Sequence, residues 1–136
     1  MNAIERYLSG KERGYLATVG KEGKPTVVPI CFVMTKGNIY TSIDDKPKST
    51  KRLARIRNIK RNPNVAFLVD SYSDDWRRLS YVLVHANASI TKSHKERAMA
   101  IQLLLEKYPQ YRWLGLRNPL VIRLEIKVWK MWKFRG

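Results

Sequence analysis

Tyr81-Val82-Leu83-Val84-His85-Ala86-Asn87-Ala88-Ser89-Ile90 sets Val82, Val84, Ala86, Ala88 and Ile90 against Tyr81, Leu83, His85, Asn87 and Ser89. Alternation of period two over this length describes a long strand with one apolar face, and such a face needs a partner layer or a closed sheet. Downstream, Ser93-His94-Lys95-Glu96 has the form of a capping box and opens a helix through Ala98, Met99, Ile101, Leu104 and Leu105 to about Tyr108. Leu120 to Val128 alternates again and runs into Trp129-Lys130-Met131-Trp132-Lys133-Phe134. Upstream, Val65 to Tyr72 is a strand, joined to the long one by Ser73-Asp74-Asp75-Trp76-Arg77-Arg78.

The first half of the chain continues the pattern. Ile4 to Leu8 is a short helix ending near Gly10, and Gly14 to Val19 is a strand. Gly20-Lys21-Glu22-Gly23-Lys24-Pro25 supplies a hairpin connection, and Thr26 to Met34 is the next strand. Pro29 in the middle of that strand cannot donate a ladder hydrogen bond, which marks an edge, a bulge or the approach of something other than a strand. Lys36-Gly37-Asn38 turns the chain into Ile39 to Ile43. A helix from about Pro47 to Arg61 puts Leu53, Ile56 and Ile59 on one side and Lys51 and Arg55 on the other, so it is expected to pack on a sheet with its basic side outward. Asn62-Pro63-Asn64 ends it. The order β-β-β-α-β-β-α-β, with few helices and long antiparallel strands, favours a small barrel that removes exposed sheet edges.

The chain has 136 residues, which suits one domain over 1–136. Lys and Arg number 27 against 11 Asp and Glu, a net charge of +16, so an acidic partner is expected: a phosphorylated cofactor, nucleic acid or an acidic membrane. The single cysteine, Cys31, lies in an apolar run and excludes an intramolecular disulfide, pointing to core packing and a cytoplasmic, reducing home. No apolar run approaches the roughly 18 residues that would cross a bilayer, and the N-terminus has no signal-like apolar region.

The charge concentrates at one corner. From Lys46 to Arg61 there are eight Lys or Arg and no acid, with Ser49 and Thr50 where the helix begins. Free amides and the positive end of the helix dipole gather there, which suits a phosphate; the plainer reading is a solvated basic face. His85 and His94 have no ligand at metal spacing, and His85 reads as a hydrogen-bonded strand residue. Asp44-Asp45 and Asp74-Asp75 read as turn residues. With no Walker loop, no GxGxxG and no nucleophile signature, an organic cofactor would have to carry any chemistry.

Gly14 to Val19, then Gly23-Lys24-Pro25 through Val28-Pro29-Ile30, then Ile39-Tyr40-Thr41-Ser42-Ile43-Asp44-Asp45-Lys46-Pro47-Lys48 resembles the pyridoxamine 5′-phosphate oxidase-related split β-barrel proteins. Arg57-Asn58-Ile59, Asn62-Pro63-Asn64-Val65-Ala66 and Asp74-Asp75-Trp76 are similar to the branch of deazaflavin (F420)-dependent enzymes. The resemblance spans about residues 10 to 133. It implies a mainly β fold with short helices, an antiparallel six-stranded split β-barrel with Greek-key connections, working as a homodimer that holds FMN or coenzyme F420 in interface clefts. It further implies that Pro29, Ile30, Cys31 and Phe32 run along the cofactor ring with their backbone groups, and that Thr41 and Ser42 lie near the ribityl chain and phosphate. Lys48 with Ser49 or Thr50 would hold the phosphate, with Lys46, Arg55 and Asn58 as further candidates. Trp132 or Trp76 would stack at the ring edge, as against plain core or dimer packing.

The strand Val27-Val28-Pro29-Ile30-Cys31 lacks the basic residues of the vitamin B6 oxidases, and their C-terminal arginine and histidine signature is missing. The resemblance therefore implies a reductase passing hydride between a reduced flavin or deazaflavin and an unsaturated small molecule. Two other classes stay open on the residues alone: a flavin-binding protein without turnover, and a basic nucleic-acid-binding module built on Trp129, Trp132, Lys130, Lys133 and Arg135.

Overall fold

The structure, a computed structural model, describes residues 2–43, 50–114 and 119–135, with side chains described at all of these except 50–53 and 114. Seven strands form one antiparallel sheet: β1 Gly14–Val19, β2 Pro25–Ile30, β3 Val33–Thr35, β4 Asn38–Ile43, β5 Asn64–Ser71, β6 Ser80–Ile90 and β7 Leu120–Lys133. Among the described residues four α-helices accompany them: α1 Ala3–Ser9, α2 Thr50–Arg61, α3 His94–Lys107 and the short α4 Tyr111–Leu114.

The spatial order β2-β1-β5-β6-β7-β4-β3 puts β2 and β3 at opposite edges of the sheet, yet only Cys31 and Phe32 separate them in sequence. Three Cα steps from Ile30 to Val33 reach at most about 11 Å. The sheet therefore has to curl until its edges meet, and the barrel is closed by the chain itself rather than by a ladder. The expected single strand Thr26 to Met34 is thus two strands that turn away from each other at residues 31–32. Counted as one bent strand, they give the six-stranded split barrel; counted by hydrogen bonding, they give seven strands.

The bend has identifiable causes. Pro29 contributes no N–H, and the Phe32 N–H donates to the Tyr108 hydroxyl at 3.0 Å instead of to a ladder partner. The Phe32 carbonyl accepts from Lys107 Nζ at 2.9 Å and lies 3.1 Å from the Tyr108 hydroxyl. The Phe32 side chain is fully buried and meets Phe67 edge-on, with ring centroids 4.9 Å apart.

Burial follows the alternation of the sequence. Val82, Val84, Ala86 and Ala88 are buried along β6, with Leu16, Phe67, Val69, Ile122 and Leu124 opposite them in the barrel interior. Ile4 and Leu8 of α1 and Ile56 and Ile59 of α2 join the same core. Each Val, Leu, Ile or Phe among them stabilises the fold by about 1.5–3 kcal/mol when withdrawn from water. At Gly14 a Cβ would lie 2.1 Å from Phe67 Cζ, so the absence of a side chain is what lets β1 approach that ring.

A second cluster, Val33, Tyr40, Ala100, Leu104, Tyr108 and Val121, lies beneath α3. Half of the expected capping box forms: Ser93 Oγ accepts from the Glu96 N–H at 3.2 Å, while the Glu96 carboxylate turns elsewhere. Glu96 then reaches the sheet, accepting from the Tyr40 hydroxyl at 2.7 Å and from Arg123 Nη1 at 3.1 Å. Burial together with the Glu96 carboxylate pushes the Tyr40 hydroxyl up to about 12.

The alternation of the last strand is interrupted once. His85 pairs with Val128 and Ala86 with Ile126, so Lys127 is the extra residue of a β-bulge. Beyond it β7 continues through the aromatic run, pairing Trp129 with Val84 and Trp132 with Tyr81.

Candidate functional site

At the bend, four of the residues singled out in the sequence come together. Pro29 is exposed on the edge strand β2, Cys31 is half-buried, and Ile30 and Phe32 point into the core. Thr41, from β4, is buried and donates its hydroxyl to the Cys31 carbonyl at 2.7 Å. Thr41 therefore anchors the bend. Ser42, next in the strand, is half-buried with a hydroxyl that has no hydrogen-bond partner among the described residues. A buried hydroxyl without a partner costs free energy.

The expected anion corner is only partly visible. Lys46, Lys48 and Ser49 lie outside the described residues, and Thr50 opens α2 with its side chain likewise outside. Arg55 corrects the outward basic face: it is half-buried and lines a groove of about 290 Å³ with Leu16, Thr18, Thr26, Val28, Ala54 and Asn58. Its pKa is lowered by burial alone, and it has no acidic partner among the described residues. Helical phase alone could not show this, because the edge of the curled sheet wraps around the side of α2. Asn58 is engaged, donating from Nδ2 to Thr18 Oγ1 at 3.2 Å and to Thr26 Oγ1 at 3.4 Å, which ties α2 to the β1–β2 hairpin.

The tryptophans lie elsewhere in the chain. Trp76 is exposed in a single 3-10 turn before β6. Trp132 stacks on Tyr81 with centroids 5.6 Å apart, on the part of β7 beyond the bulge, whereas Thr41 pairs with Ile122 near the start of that strand. Ten residues of strand separate Ile122 from Trp132, about 33 Å along the chain. His85, expected to be hydrogen-bonded, is exposed on the outer face of β6.

Sequence reasoning missed the residues on the far side of the bend. A cavity of about 340 Å³ is lined by Glu12, Arg13, Pro29, Ile30, Cys31, Tyr108, Gln110 and Tyr111. Cys31, expected in the core, faces this cavity. Tyr108 is the hub: besides Phe32, its hydroxyl donates to the Glu12 carbonyl at 2.7 Å, and burial pushes it up to about 12. Lys107 sits over the Phe32 ring at 3.9 Å from the centroid, and burial pulls its ammonium down to about 8 against the opposing pull of Cys31 and Glu12. The only signal for this cluster was the position of Tyr108 at the end of the α3 pattern.

The outer face of the sheet carries several exposed apolar side chains where no helix covers it. Tyr15, Leu68, Val27, Val128 and Trp132 are all exposed there, and Tyr15, Leu68, Leu83 and Lys130 form one row across four strands.

Comparison with known proteins agrees with this geometry. The family model described as pyridoxamine 5′-phosphate oxidase matches residues 1–133. Among curated proteins, 5a,11a-dehydrotetracycline/5a,11a-dehydrooxytetracycline reductase of Streptomyces rimosus is 35% identical over 85 residues, covering 60% of this chain and 57% of the reductase. Among solved structures, a conserved hypothetical protein of Mycobacterium tuberculosis aligns over 98% of this chain and 85% of its own, with a TM-score of 0.79 and 19% identity. A FAD-binding protein of Mesorhizobium loti aligns over 96% and 94%, with a TM-score of 0.71 and 23% identity. The likeness to these two structures is one of fold.

Proposed function

Because the chain belongs to the pyridoxamine 5′-phosphate oxidase family, matched over residues 1–133, we propose that it is an oxidoreductase that holds FMN or coenzyme F420 at the β2–β3 bend. The observation that carries this reading is the bend itself. An exposed edge strand there runs from a groove holding a half-buried guanidinium, Arg55, with no acidic partner among the described residues, to an aromatic cavity at Pro29–Cys31. From Thr26 to Cys31 that edge extends about 16 Å, room for an elongated ligand with its anion at the Arg55 end and its flat ring lying along the strand edge at the mouth of the aromatic cavity.

The residues present fit such a group. Arg55 supplies a positive charge in a partly desolvated groove, where it interacts more strongly with an anion than in bulk water. Lys48, with Ser49 or Thr50 and with Lys46 nearby in sequence, would complete a phosphate site by charge-assisted hydrogen bonds. Ser42, next to Thr41 in β4, would lie near the chain between phosphate and ring. Pro29 to Phe32 would support the ring; Thr41, Tyr108 and Lys107 hold those residues in place through the Cys31 carbonyl and the Phe32 backbone. Bound there, the reduced cofactor supplies a hydride, and solvent supplies the proton that completes reduction of a carbon–carbon double bond. Positioning and water exclusion account for the rest, so no acid or base signature is required. The matched relative is named for a dehydro compound, and an unsaturated small molecule is the substrate class this reading assigns.

The exposed apolar side chains on the uncovered face of β1, β5, β6 and β7 support a homodimer, which would also bring Trp76 or Trp132 of a second copy toward the bend. Titration of the cofactor-free protein with FMN and with coenzyme F420, at physiological salt, tests the reading. One submicromolar site per chain is expected for one of them, weakened about tenfold or more in Lys48→Ala. Absence of binding by both would refute it, and steeply salt-dependent binding to polynucleotides would then favour a nucleic-acid module.

A further inference from the structure

We infer that the cavity between the bend and the end of α3 is the berth of the hydride acceptor, and that it takes a flat conjugated compound bearing a carboxylate or enolate oxygen, received by Arg13. This rests on the reading of Pro29–Phe32 as the segment supporting the cofactor ring, since a ligand in the cavity lies against Pro29, Ile30 and Cys31.

The walls set the shape. Tyr108 and Tyr111 meet edge to face, with centroids 5.9 Å apart and planes at 74°, and they stand over the apolar floor of Pro29, Ile30 and Cys31. Two aromatic sides and a proline favour a flat, polarisable ring over a sugar or an extended polar chain. At about 340 Å³ the space has the size of a small-molecule site.

The rim sets the charge. Glu12 and Arg13 both border the cavity, but the field of Glu12 falls on Lys107 and Tyr108, and Lys107 is also held by the Phe32 carbonyl. Lys107, in the last turn of α3, also offsets the negative end of that helix dipole. Arg13 is exposed and has no acidic partner among the described residues, so its guanidinium is open to an oxyanion at the rim. The Gln110 side chain adds an amide that can serve a neighbouring oxygen.

The test uses 2-naphthoate and its neutral counterpart 2-naphthamide as probes, titrated calorimetrically into the full chain with and without FMN or coenzyme F420. Naphthoate should bind once per chain, Arg13→Met should weaken it about tenfold or more, and naphthamide binding should change less than about threefold. Arg13 is exposed, so the variant keeps its fold. Equal naphthoate affinity in wild type and Arg13→Met, or no naphthoate binding, overturns the inference. If a cofactor binds and expels naphthoate competitively, the cavity is the ring's own berth and the inference fails while the cofactor reading stands. If naphthoate binds as described but neither cofactor does, the cofactor reading fails and the role as acceptor berth fails with it, leaving only the assignment of ligand class.

Discussion

Lys107 concentrates several physical effects in one side chain. Its ammonium lies over the Phe32 ring and donates to the Phe32 carbonyl, and desolvation by burial outweighs the opposing pull of Cys31 and Glu12 and lowers its pKa from 10.5 to about 8. The sign of the consequence is fixed by linkage. Between pH 8 and 10.5 the unfolded chain binds more protons at this residue than the folded one, so its contribution to stability rises with pH across that window and is constant below it. Denaturant titrations of wild type and Lys107→Met should therefore show a stability difference that is flat up to about pH 8 and then moves in favour of wild type. A difference independent of pH from 7 to 10.5 would show that Lys107 is not desolvated as described. Nothing in the sequence marked this lysine among the 27 basic residues, because its environment is made by Phe32, which is 75 positions away. Thr41, by contrast, was placed at the site by the motif around it, but its part there is to hold the Cys31 carbonyl.

Among the elements, the β2–β3 bend was the least legible and is the most consequential. Pro29 announced an edge, and β2 is an edge strand. The break two residues later followed from no propensity; it requires Tyr108, at the end of α3, to take the Phe32 N–H and the Glu12 carbonyl together. Tyr108→Phe leaves the buried Phe32 N–H without that acceptor, which should cost about 1–3 kcal/mol. Amide exchange should localise the loss, with Phe32 exchanging faster by a larger factor than Val84 in the middle of β6. Uniform acceleration across both strands would instead mean a global destabilisation. The N-cap of α3 shows the opposite case. Ser93 and Glu96 act within one turn, so four residues of sequence sufficed to read it.

At the scale of the whole molecule, the curled sheet leaves one side covered by α3 and the other open. The open side presents Tyr15 and Leu68 in cross-strand contact, with Val27 and Val128 nearby in the same face. On a chain of net charge +16, a second copy can approach only if that apolar area outweighs the repulsion. Light scattering at micromolar concentration should find a dimer for wild type and a monomer for Leu68→Lys, with little change in monomer stability because Leu68 is partly exposed. A wild-type monomer would remove the shared cleft from the proposed function. The sequence by itself determined the strands apart from the divided β2–β3 stretch, the N-cap of α3 and the surplus of positive charge, because alternation, capping and composition are properties of neighbouring residues. Tertiary structure alone decided the bend, the burial of Arg55 and the aromatic cavity, because those rest on partners as far as 96 positions apart, brought together only when the sheet closes.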